Sequence, residues 1–123
     1  MGFIKRILGL ETSPGEPQPL RDDSFEAEVL HCDLPCFVEF YSLWCPSCQV
    51  MSGLLNEVGP EYIGKAKFFK LNVSKNPTAH VPYDISGVPT IIAFKDGEAV
   101  DRLVGLVPID MLKDWIERNI QTA

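Results

Sequence analysis

The sequence predicts an α/β domain in which one mixed sheet of four to five strands lies between helices. Three observations carry this prediction. The run CFVEFYS (36–42) is almost continuously apolar and passes directly into a segment with helical spacing, which marks a covered strand feeding a helix. A second short run, AKFFKLNV (66–73), repeats the strand signature after that helix. PTIIAFK and EAVDRLVG, joined by Asp96-Gly97, read as an antiparallel hairpin, because Asp-Gly accepts the positive φ of a tight turn. The order helix, strand, helix, strand, short helix, hairpin, helix places parallel strands first and antiparallel ones last.

With 123 residues the chain supports one hydrophobic core. Residues 1–20 read as an N-terminal tail and a linker made stiff by Pro14, Pro17 and Pro19; residues 21–123 form the domain. In the tail, Phe3, Ile4, Ile7 and Leu8 can share one helical face. The stretch MGFIKRILGL lacks the charge placement and cleavage site of an export signal and is far shorter than the roughly 20 apolar residues that span a bilayer. A cytoplasmic protein without a membrane span is expected. A formal net charge of −6 excludes nucleic acid and anionic membrane as main partners, since both demand basic patches.

The first helix is expected at RDDSFEAEVLHC, capped by Asp22, Asp23 or Ser24, with Phe25, Val29 and Leu30 as its apolar face and Pro35 beyond its end. The second follows the first strand and turns Val50, Leu54, Leu55 and Val58 inward before Gly59-Pro60. NPTAHVPYDI is a proline-punctuated helical connection. The closing helix, PIDMLKDWIERNI, places Leu112, Trp115, Ile116 and Ile120 on one face. Met51 and Met111 are read as core fillers, and His31 and His80 as structural or surface residues.

The chemistry concentrates in YSLWCPSCQVM (41–51). Two thiols at C-x2-C spacing serve redox exchange, half of a zinc site or plain burial. Position favours exchange. Pro46 suits a first helical turn, so Cys45 falls at a helix N-terminus, where unpaired N–H groups and the dipole stabilise a thiolate. Cys45 then attacks a disulfide, and Cys48, one turn on, resolves the intermediate. Cys32 and Cys36 do not complete a four-sulfur metal site, because the strand between the pairs separates them by roughly 20 Å. They read as buried or partly buried thiols, with a second disulfide as the alternative. No metal ligand set and no cofactor is expected.

Trp44-Cys45-Pro46-Ser47-Cys48 at a strand–helix junction, followed by Gly87-Val88-Pro89-Thr90 before a hairpin, resembles the thioredoxin family, as do DDSFEAEVL, KLNVSKNP and GVPTIIAFKDGE. The resemblance covers about residues 22–120 and implies the thioredoxin fold. It also implies that Pro89 is a cis-proline facing the sulfurs, and that Trp44, Pro46, Ser47, Gly87, Val88, Val104, Gly105 and Leu106 surround Cys45 as the substrate-docking surface. Glu39 takes the place of the family's buried aspartate, a proton acceptor for Cys48, with Lys70 as its charge partner; a purely structural Glu39–Lys70 pair is the alternative.

Three departures stand out. Pro46-Ser47 replaces the usual Gly-Pro, Gly53 replaces the kinking proline of the second helix, and Pro17 and Pro19 fall where the first strand belongs, leaving it short or absent. The implied activity is reduction of protein disulfides by a monomer that is itself reduced by a thioredoxin reductase-like flavoprotein. A thioredoxin-like binding or scaffold module with incidental redox activity is the alternative; a glutathione-dependent role or an oxidase would need signals absent from the sequence.

Overall fold

The computed structural model describes residues 13–121. The apolar face expected for Phe3, Ile4, Ile7 and Leu8 lies outside them. Five strands form one sheet in the order β1-β3-β2-β4-β5. These are β1 (Gln18–Pro19), β2 (Cys36–Tyr41), β3 (Lys67–Asn72), β4 (Thr90–Lys95) and β5 (Glu98–Val104). β3 runs parallel to both β1 and β2, whereas β4 is antiparallel to β2 and to β5. Two helices, α1 (Pro46–Val58) and α2 (Ile109–Gln121), cover one face.

β2 is the central strand, and period-two alternation divides its side chains between two cores. Phe37 packs with Met51, Leu55 and Val58 of α1 and with Leu112, Trp115 and Ile116 of α2. Cys36, Val38 and Phe40 point the other way, onto Leu20, Phe25, Val29, Phe69, Leu71, Ile92 and Phe94. Each such side chain, fully buried, contributes about 1.5–3 kcal/mol relative to exposure. Glu39 lies two residues beyond Phe37 and therefore on the α1 face of the strand.

The hairpin turn has the positive φ values read from Asp-Gly, 51° at Asp96 and 81° at Gly97. NPTAHVPYDI contains one 3₁₀ turn, Val81–Tyr83. The first strand, expected to be short or absent around Pro17 and Pro19, is short: Pro17 and Leu20 are buried, and Gln18–Pro19 pair with Phe69 and Lys70 as a two-residue edge strand. A proline at a sheet edge leaves one ladder position without its N–H, which is why the strand is so short.

The first helix is a single π-helical turn, Glu26–Leu30, closed by His31 N–H donating to the Glu26 carbonyl at 3.2 Å. No side chain caps it. Asp22 instead accepts from the N–H groups of Ala79, at 2.7 Å, and Thr78, tying this turn to the connection before β4. On α1 the inward stripe is Cys48, Met51, Leu55 and Val58, whereas Val50 is exposed and Leu54 only partly buried, so the apolar face is rotated by one residue. Met51 fills the core as expected, but Met111 is exposed on the outer side of α2.

Candidate active site

β2 ends at Tyr41, whose carbonyl accepts from Val73 N–H at 2.8 Å, and the chain leaves the sheet there. Trp44 takes a left-handed φ of 59° and projects its indole almost wholly into solvent. The next residue, Cys45, is the N-cap of α1: its backbone is extended, its carbonyl accepts from Gln49 N–H at 3.1 Å, and Pro46 opens the helix. The Cys45 sulfur accepts from Cys48 N–H at 3.2 Å, the bond a serine or aspartate cap would make. Ser47 Oγ lies 3.5 Å from the same sulfur. Cys45 and Cys48 are joined as a disulfide, with Cα atoms 5.2 Å apart. Cys45 is partly exposed and Cys48 is buried, so an incoming molecule meets Cys45 first.

The opposite wall comes from β4 and β5. Thr90 pairs with Phe40, which sets Pro89 beside the end of β2 from which the cysteine loop departs. The Val88–Pro89 bond is cis. Thr90 Oγ1 donates to the Gly87 carbonyl at 2.6 Å, and Gly105 N–H donates to the Pro89 carbonyl at 2.8 Å. These bonds hold the 87–90 turn against Val104–Leu106. Val104 and Leu106 are exposed, as are Leu43 and Trp44 across the site, so apolar side chains rim the disulfide.

Beneath the helix start, Glu39 is fully buried. Its Oε1 accepts from Ser52 Oγ at 2.7 Å, and Oε2 has no partner among the described residues. Burial pushes the carboxyl up to about 7, against smaller opposing effects from the Ser52 hydrogen bond and the Lys70 charge. Lys70 is in register with Glu39 on β3, but among the described residues no ion pair joins them, so it acts through space. Ser52 was not legible as part of the site. The available signal was its position, one turn after Cys48 on α1, above the strand that carries the acid. Ser52, Cys48, Tyr41, Gly53 and Asn56 line a pocket of about 340 Å³ that opens beside Trp44.

Among the described residues, no group of three or more His, Cys, Asp or Glu side chains converges as metal ligands. Cys32 and Cys36 are free and lie at the far end of β2. A disulfide capping a helix, one sulfur open and one buried, beside a cis-proline turn and an apolar rim, defines a thiol–disulfide oxidoreductase. A sequence model of the thioredoxin family matches residues 16–118. Thioredoxin of Rickettsia conorii is 40% identical over 99 residues, 80% of this chain and 94% of its own length. Thioredoxin 1 of Nostoc sp. is 36% identical over 99 residues, 80% of this chain and 92% of its own. Thioredoxin M4, chloroplastic, of Arabidopsis thaliana is 37% identical over 99 residues, 80% of this chain and 51% of its own. The chain belongs to the thioredoxin family.

Proposed function

We propose that the Cys45/Cys48 pair works in the reducing direction on protein disulfides, with Cys45 as nucleophile and Cys48 as resolving thiol. The observation that carries the choice of Cys45 as nucleophile is the cap: its sulfur already accepts a backbone N–H at the start of α1, and the same N–H would stabilise a thiolate there. Membership of the thioredoxin family supports the reducing direction. Reduced Cys45 attacks one sulfur of the substrate disulfide, and the other substrate sulfur leaves as a thiolate. Cys48 then attacks Cys45, re-forming the intramolecular disulfide and releasing the second substrate thiol.

In this reading Glu39, with a carboxyl near 7, accepts the Cys48 proton through water in the adjoining pocket, and Lys70 moderates its charge. Trp44, Pro46, Ser47, Gly87, Val88, Pro89, Val104, Gly105 and Leu106 form the docking surface. The exposed apolar side chains among them suit an extended segment of an unfolded or loop region in the substrate.

The chain divides into an N-terminal tail and linker, residues 1–20, and a thioredoxin domain, residues 21–123, to whose sheet the end of the linker adds Gln18–Pro19. Electrons reach the pair from a thioredoxin reductase-like flavoprotein, and the protein acts as a monomer in the cytoplasm, a reducing compartment that suits its two free thiols. No helix among the described residues is long and apolar enough to cross a membrane. The test is reduction of insulin disulfides with a thioredoxin reductase and NADPH. Wild type is expected to turn over, Cys45→Ser to be inactive, and Cys48→Ser to accumulate a mixed disulfide at Cys45. Equal rates for wild type and Cys45→Ser would leave a binding module.

A further inference from the structure

The second cysteine pair has a built geometry of its own. Cys32 follows the π-helical turn, its N–H directed at the Val29 carbonyl at 3.4 Å, and Cys36 opens β2. Asp33, Leu34 and Pro35 bend the chain between them, and the Cys36 thiol donates to the Leu34 carbonyl at 3.4 Å. The Cys32 side chain packs on the same core cluster as Cys36, and its thiol is a neighbouring group that acts on the Cys36 thiol. The two sulfurs differ in access: Cys36 is 1% exposed, whereas Cys32 is only partly covered. The strand between the pairs, at about 3.3 Å per residue, places this one roughly 20 Å from Cys45. The active-site disulfide of the same molecule cannot reach it.

We propose that Cys32 and Cys36 form a second, independent dithiol–disulfide couple that exchanges with low-molecular-weight disulfides. Cys32, the accessible sulfur, loses its proton and attacks one sulfur of R–S–S–R. That bond breaks, R–S⁻ departs and takes up a proton, and Cys32 carries a mixed disulfide. The Cys36 sulfur then attacks the Cys32 sulfur, the second R–S⁻ leaves with the Cys36 proton, and the Cys32–Cys36 bond forms. Two thiols are oxidised by two electrons, and one R–S–S–R becomes two RSH.

The environment assigns this order. Burial, reinforced by the neighbouring Cys32 thiol, holds Cys36 well above the ordinary thiol range, so it stays inert toward solution oxidants and reacts only with a sulfur fixed beside it. A partly covered thiol backed by a buried resolving thiol repeats, at the other end of β2, the asymmetry of Cys45 and Cys48.

The test uses the full chain carrying Cys45→Ser and Cys48→Ser, so that only two of its four cysteines remain and failure of the active-site reading does not affect the outcome. The protein is equilibrated with oxidised glutathione, alkylated with N-ethylmaleimide and weighed by mass spectrometry. Complete loss of both alkylatable thiols without retained glutathione, reversed by dithiothreitol, is expected. Adding Cys36→Ser should trap glutathione on Cys32, and adding Cys32→Ser should leave Cys36 reduced; Cys32 is only partly buried, so that variant is expected to fold, which circular dichroism verifies. Two thiols surviving in the parent variant, a glutathione adduct that never resolves, or oxidation of Cys36 in the absence of Cys32 would each overturn the proposal.

Discussion

Ser52 donates its hydroxyl to Glu39 Oε1 at 2.7 Å, while Oε2 of the same buried carboxyl has no partner among the described residues. An ionised carboxylate in that position has lost water without full compensation, so the neutral acid is favoured up to about pH 7.

This has a stability consequence with a definite sign. The folded carboxyl titrates at about 7 and its ordinary value is 4.5, so between these pH values the native state binds more protons than the unfolded chain. Stability therefore falls as pH rises through that window, by about 3 kcal/mol in total. Glu39→Gln keeps an acceptor for Ser52 and cannot ionise. Urea unfolding of the reduced proteins is expected to show the variant more stable by about 1–3 kcal/mol at pH 8, with the difference closing toward pH 5. A constant difference across this range would mean that Glu39 is not the titrating group.

Ser52→Ala tests the same site from the other partner. The hydrogen bond favours the charged form, so its loss should raise the Glu39 carboxyl further, by roughly one pH unit. Carbon-13 carboxyl shifts followed by NMR read this directly. If insulin reduction depends on ionised Glu39, the rising limb of its pH profile should move up with it. An unchanged or lowered titration midpoint would show that the Ser52 bond does not stabilise the carboxylate.

Strands β2 to β5 were readable because each carried a local signal, the apolar runs at 36–42 and 66–73 and the hairpin turn at Asp96-Gly97, and Pro46 marked the start of α1. Local signals fail where tertiary partners decide. Asp22 looked like a cap and instead binds the backbone N–H groups of residues 78 and 79, more than fifty residues along the chain. Pro17 and Pro19 left the first strand open between short and absent; a parallel edge needs few of its own N–H groups, so a two-residue strand forms around them. The cysteine pair was legible from its motif. The role of Ser52 was not, since a serine inside a helix acquires meaning only from the strand beneath it.

The packing of residues 13–16 on the end of α1 gives a third prediction. A Cβ on Gly59 would overlap the Gly15 carbonyl oxygen, a backbone atom with no rotamer to escape into. Gly59 has an ordinary helical φ of −51°, so the constraint is space and not conformation. Gly59→Ala should cost about 1–3 kcal/mol in urea unfolding, or else lift the segment off the helix. In the second case proteolysis after Glu16 should accelerate while the unfolding midpoint changes little. Wild-type behaviour in both measurements would remove the contact as a structural element.

Gly53 presents the opposite situation within the same helix. It is exposed, lies in mid-α1, has no left-handed φ, and a Cβ there would meet nothing within 4 Å. Glycine at such a position gives the unfolded chain freedom that folding must remove, and alanine removes part of it beforehand. Gly53→Ala should therefore stabilise the protein by about 0.5–1 kcal/mol, seen as a higher urea midpoint with an unchanged slope. The residue also lines the pocket beside Cys48, so the insulin reduction rate separates two roles for it. An unchanged rate with higher stability makes Gly53 a neutral occupant of its position on α1. A stabilised but slower enzyme would instead show that the bare Cα keeps the wall beside Cys48 open, as the proposed proton transfer to Glu39 requires.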